Sequence, residues 1–94
     1  MNETKVKHTP GDWKVKETYA DKAGFSIQDQ NGKSIASINP NIRRDGEEKA
    51  ANAHLIAAAP NLLEALKILE KNGHTQATWN RALKAIAKAE GRAQ

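Results

Sequence analysis

Cysteine is absent from this 94-residue chain, so it has neither disulfides nor thiolate metal ligands. A chain this short buries only about 60–65% of the surface that its unfolded form exposes, so its fold rests on one small core. Aromatic side chains are nearly as scarce, and Trp13, Tyr19, Phe25 and Trp79 are the whole set. No apolar run approaches the roughly 20 residues of a membrane span. The opening MNETKVKHTPGD has no apolar signal core, so secretion is not expected. Together these absences point to a single domain in a reducing cytoplasm, away from membranes.

The marks of catalysis are missing as well. There is no Ser-His-Asp order, paired-carboxylate motif, phosphate loop or glycine-rich fingerprint. His8, His54 and His74 fall in different segments without ligand spacing, and His54 reads as a partly buried or interface side chain. Each glycine has an ordinary job as a turn or cap residue. The sequence therefore predicts no catalytic residues, no metal, no cofactor and no enzyme activity.

What the chain does have is a modest basic excess, with a formal net charge of +4. Charges alternate in sign along most of it. At the C-terminus, Lys71, Arg81, Lys84, Lys88 and Arg92 are opposed only by Glu90. Such a surface either serves as a solvated helix face or favours an anionic partner: nucleic acid, a nucleotide or an acidic protein.

Local patterns predict an α+β fold, with a three-stranded antiparallel meander followed by two to three helices packed on one face. Residues 1–9 read as a flexible arm, 10–39 as the meander and 45–91 as the helical half. Pro10-Gly11 is a turn signal. Trp13 to Glu17 alternates apolar and polar, as does Phe25-Ser26-Ile27. Asn31-Gly32 marks a hairpin, because both residues tolerate positive φ. Lys33 to Ile38 is the third strand, and Ile38 is out of phase with Ile35, which predicts a bulge or the strand's end at Ile38. Trp13, Val15, Phe25, Ile27 and Ile35 form the expected apolar face.

Asp45 is the expected N-cap of the helical half, with Glu47 and Glu48 at the positive end of the helix dipole. The stretch from Ala50 to Leu69, AANAHLIAAAPNLLEALKIL, is the longest mostly apolar run. Pro60 lacks an N–H and disfavours a helical residue before it, so two helices bent at Pro60 are expected. Leu62, Leu63, Leu66 and Leu69 recur at helical spacing, and Gly73 ends the run. Thr75 starts a last helix that reaches about Glu90, with Trp79, Leu83 and Ile86 as its core stripe. Leu55 and Ile56 complete the expected helical core. The thin core and the small-residue face of Ala50, Ala53 and Ala57 point to a homo-oligomer formed through that face.

Two stretches resemble a family of small accessory proteins of tailed phages and prophages. They are His8-Thr9-Pro10-Gly11-Asp12-Trp13, close to an HTPGPW-type motif, and Ala51 to Pro60 followed by Leu62-Leu63-Glu64-Ala65-Leu66. The likeness covers about residues 8 to 66. Asp12 stands where the motif usually has proline, so a rigid Pro-Gly-Pro turn is not implied. The resemblance implies a phage accessory protein and supplies no catalytic or binding residues.

A phage protein without catalytic groups acts by contact. The expected function is inhibition of a host defence system by binding a defence protein, a nucleoprotein complex or an anionic nucleotide, as anti-CRISPR proteins or signal-sequestering proteins do. Alternatives are a nucleic-acid-binding accessory protein and a structural protein that oligomerises. Arg43 and Arg44, in the loop before the helices, are the first-choice contact residues, since guanidinium donors suit phosphate and carboxylate. Lys14 and Lys16 on the first strand, or Arg81, Lys84 and Lys88 on the last helix, would extend that surface. Trp13 reads either as a core side chain at the sheet edge or as a platform for a base.

Overall fold

The computed structural model describes residues 7–92. Most of the arm expected over residues 1–9 lies outside them. Three strands come first, β1 at Lys14–Tyr19, β2 at Gly24–Gln28 and β3 at Ser34–Ile38, paired antiparallel in the order β1-β2-β3. Two helices follow, α1 at Gly46–Asn72 and α2 at Gln76–Ala89. This is the predicted α+β architecture, with two helices.

The turn between β2 and β3 differs in detail from a two-residue Asn-Gly hairpin. Asp29 holds it, its Oδ1 accepting from the backbone N–H of Asn31 and Lys33 at 2.9 Å each. Only Gly32 adopts positive φ, at 82°. The loop is thus a wider turn that needs one left-handed residue. β3 ends at Ile38, one of the two outcomes predicted there, and the bulge lies earlier. Ala36 pairs with Ile27 and Ser34 with Gln28, which leaves Ile35 as the extra residue. The slip lets both Ile35 and Ile38 pack on the same cluster. Between β1 and β2, Asp21 and Lys22 are left-handed without being glycine. Glu17 and Glu47 hold that corner. Glu17 accepts from the Lys22 backbone N–H, and Glu47 accepts from the Lys22 ammonium, both at 2.9 Å. The bond to Glu47, and then its charge, raise the Lys22 pKa above the ordinary 10.5. That pairing is intact at neutral pH and is lost only as pH climbs past the raised value.

α1 corrects the expected division into two helices at Pro60. It is one helix of 27 residues with Pro60 inside it. At 1.5 Å per residue it spans about 40 Å, close to the 44 Å long axis of the molecule. The helix survives the proline because each half is anchored separately. Ala53 and Ala57 pack on Phe25, Ile27 and Ile38 of the sheet, while Ala65 packs on Ala82 and Ala85 of α2. Buried Lys49 ties the first half down further, its ammonium donating to the carbonyls of Ala23 and Pro40 at 2.9 and 3.1 Å. The ends are as predicted. Asp45 accepts from the Glu48 N–H, and Gly73, at φ 75°, closes the helix by donating to the Leu69 carbonyl.

The core differs from the predicted one in kind. Among the described residues Ile27 is its only large side chain that is fully buried, and the rest is mainly alanine. The Ala50–Ala53–Ala57 face lies against the sheet, so it is not the intermolecular surface anticipated. Trp79, Leu83 and Ile86, expected as the core stripe of α2, are exposed, as are Leu55, Leu63 and Leu66. The cap of α2 explains its rotation. Thr75 and Thr78 bond to each other's backbone N–H groups, and the Thr78 hydroxyl donates to the Gly73 carbonyl at 2.8 Å. Thr78 must therefore face inward, and the 3.6-residue repeat carries Ala82 and Ala85 in with it. Alanine there lets the helices approach closely and leaves the large residues outside.

Trp79 is 44% exposed and meets the His74 ring edge-on at 5.2 Å. Trp79→Ala is accordingly expected to cost under about 1 kcal/mol, far less than a core aromatic deletion. A melting curve in dilute solution checks this, and a loss of 3 kcal/mol or more would put Trp79 back in the core.

Candidate functional site: a basic groove between sheet and last helix

The sheet and α2 pack on different parts of α1, and a groove of about 960 Å³ opens between them. The start of β1 supplies Trp13, Lys14 and Val15 to one wall. The floor is α1, with His54, Ala57, Asn61 and Glu64. The far wall is α2, with Arg81, Lys84 and Lys88. Helical geometry puts those three together. With Thr78, Ala82 and Ala85 against α1, steps of 100° carry Arg81, Lys84 and Lys88 to one flank and Trp79, Leu83 and Ile86 to the other.

The first wall is fixed by local bonds. The Trp13 indole N–H donates to the Thr9 carbonyl at 3.0 Å, and His8 meets the ring edge-on at 6.2 Å. The ring is half-buried against the sheet core, as the core reading of Trp13 has it, and it lines the groove as well. Asn61 joins the three walls. Its amide nitrogen donates to Asp12 at 3.3 Å, and its oxygen accepts from the Lys88 ammonium at 2.8 Å. The two motif stretches thus meet in space at Asp12 and Asn61. A second hollow of about 570 Å³, between Pro10-Gly11 and Pro60, follows the same seam.

Within the groove four cations, Lys14, Arg81, Lys84 and Lys88, face two carboxylates, Asp12 and Glu64. Glu64 pairs with Arg81 at 3.5 Å, an exposed and weak contact. Lys88 is engaged by Asn61. Lys14 and Lys84 are the exposed ammonium groups with the least local compensation. The groove can accept an anion and offers a ring beside it.

The other predicted contact residues lie elsewhere. Arg44 pairs with Glu48 at 2.7 Å at the start of α1, and Arg43 is exposed beside it. From there to Asn61 is about 25 Å along the helix. Lys16 is exposed on β1 but does not line the groove. Sequence reasoning missed Asn61, whereas His54 is partly buried, as expected. His54 sits under the C-terminal turn of α2, where a Cβ on Gly91, at φ 76°, would stand only 3.0 Å from the ring. Among the described residues no three His, Cys, Asp or Glu side chains gather as metal ligands, and no helix is long and apolar enough to cross a membrane.

Compared with known proteins, the chain matches the model of one family, described as Salmonella phage P22 protein Y8K6, over residues 1–93. No curated protein and no solved structure matches it.

Proposed function

We propose, from the premise that the chain belongs to the family of Salmonella phage P22 protein Y8K6, that it is a non-enzymatic binding protein acting in the host cytoplasm against a defence system. Its partner is anionic: a nucleotide signal that it sequesters, or the phosphate or acidic groups of a defence nucleoprotein. The observation that supports this reading is the groove. Its four cations come from two distant segments, β1 and α2, and the fold brings them into one groove with Trp13. Its volume lies in the range of small-ligand sites, which favours a nucleotide-sized ligand over an extended strand of nucleic acid. A ring beside ammonium and guanidinium groups suits a base joined to phosphate.

Titration of cyclic dinucleotides and short oligonucleotides into the native protein tests this. Lys14→Glu with Lys84→Glu is expected to weaken binding by tenfold or more, since each reversal replaces an attraction with a repulsion. Both side chains are exposed, so the melting temperature should hardly move. A phage carrying the double variant should lose protection in a host-challenge assay. Undiminished binding and full protection would remove the groove from the function. If Arg43→Glu with Arg44→Glu is the pair that loses binding, the contact lies at the start of α1.

A further inference from the structure

We infer that the flank of the helical pair opposite the groove is the contact surface for a second copy of this chain. The inference rests on the apolar pattern of α1 and α2 and is independent of the groove's ligand.

On α1, Leu55, Ala59, Leu62, Leu66 and Leu69 are spaced alternately by four and three residues. On α2, Trp79, Leu83 and Ile86 continue the same spacing. That 3.5-residue average is the seam of a helix that packs on another helix. The two helices are antiparallel neighbours joined by a short connection, with Ala65 facing Ala82 and Ala85. Counting 100° per residue from those alanines puts both seams on the same side of the pair. Ala65, Ala82 and Ala85 make the buried contact between α1 and α2, and Leu62 and Leu69, on the near edge of the α1 seam, pack against it. The outer part of the two seams is left over: Leu55, Leu66, Trp79, Leu83 and Ile86 remain 38–63% exposed.

Size and charge identify the occupant. The five side chains leave on the order of 500 Å² of apolar surface in water, at the upper end of what a monomer shows in one patch. Complete burial of two such faces removes about 1,000 Å², the threshold of a specific interface. No charged residue interrupts either seam between Leu55 and Leu69 or between Trp79 and Ile86, so the face offers an acidic or basic partner nothing. The chain's net charge of +4 would oppose self-association, but the α2 cations stand on the other flank. Two copies meeting about a two-fold axis form a four-helix layer, with the cations outside and both grooves open. The radius of gyration, 14.8 Å, fits this geometry. A compact chain of this length has one of about 12 Å, and the excess reflects a helical pair that projects past the sheet.

Light scattering across a concentration series, from low micromolar to several hundred micromolar, reads the result. The native chain is expected to pass from 10.3 kDa toward twice that mass, and its melting temperature should rise with concentration. Leu66→Glu, at the most exposed seam position, should remain monomeric throughout with an unchanged circular dichroism spectrum, and Leu83→Glu should repeat it from the other helix. A native chain that stays monomeric at the highest concentration overturns the inference. So does a dimer that both variants leave intact. A native monomer whose α1 and α2 amides gain exchange protection only when host extract is added would assign the face to a different protein, and equally overturn it.

Discussion

Ala53→Glu is expected to abolish the fold. Ala53 is fully buried at the point where α1 crosses the sheet, in one cluster with Phe25, Ile27, Ile38 and Ala57. A glutamate there needs space that the cluster lacks, and overpacking costs about 1–3 kcal/mol. It also needs a partner for its charge, and the buried cation one turn earlier on α1, Lys49, already gives its ammonium to the carbonyls of Ala23 and Pro40. An unpaired buried carboxylate costs several kcal/mol more, whether it stays ionised or takes up a proton. The sum, about 5 kcal/mol or greater, is comparable to the whole stability of a chain of this size, roughly 5–14 kcal/mol. Circular dichroism should show lost helix and no cooperative transition. A folded Ala53→Glu monomer would mean that the alanine face is an outer surface, as the sequence reading had it, and that the sheet packs elsewhere.

Pro60→Ala is expected to act in the opposite sense and stabilise the protein by about 2–3 kcal/mol. Proline inside a helix leaves the carbonyl four residues back, that of Ile56, without its amide partner, and costs about 3 kcal/mol relative to alanine. Since α1 is already continuous through position 60, alanine adopts the same backbone and restores the bond. Two effects reduce the gain. Proline stiffens the unfolded chain, and the Pro60 ring forms one side of the hollow against Pro10-Gly11. For a domain of this size the net change corresponds to a rise in melting temperature of roughly 10 °C or more. Scanning calorimetry decides the matter. A lower melting temperature would show that the contact with the N-terminal segment outweighs the missing hydrogen bond.

These two positions also show where the sequence could be read and where it misled. Asp45, Gly73 and Thr75 announced the helix ends correctly, because caps and left-handed stops depend on a few adjacent residues. The strands were legible from alternation, within a residue or two of their ends. Pro60 misled because local propensity does not know that both flanking halves are pinned by tertiary contacts. Leu66, Trp79 and Leu83 misled for another reason. Periodicity locates an apolar stripe but does not say whether the stripe meets the chain's own core or an outside surface. Here the decision came from Thr78, whose hydroxyl bonds fix the rotation of α2. At the site, Lys14, Arg81, Lys84 and Lys88 could be picked out by charge. Their assembly into one groove could not, because it depends on where sheet and α2 dock along α1. Asn61 carried no signal at all, since an asparagine that bridges a carboxylate and an ammonium reads in sequence like any polar helix residue.

The misplaced residue in β3 bears on what happens when many copies share one solution. The sheet has two open edges. Along β1, Lys14 and Lys16 place charge where a foreign strand would have to lie. β3, with the sequence Ser-Ile-Ala-Ser-Ile, has no charge and no proline to do the same. What it has is the extra residue at Ile35. A bulge twists the strand and puts successive amide and carbonyl groups out of step. An incoming strand cannot match the outer side of β3 over its full length. The slip that brings two isoleucines into the core therefore also blunts the edge, and guards the chain against sheet-to-sheet aggregation without a single charged side chain.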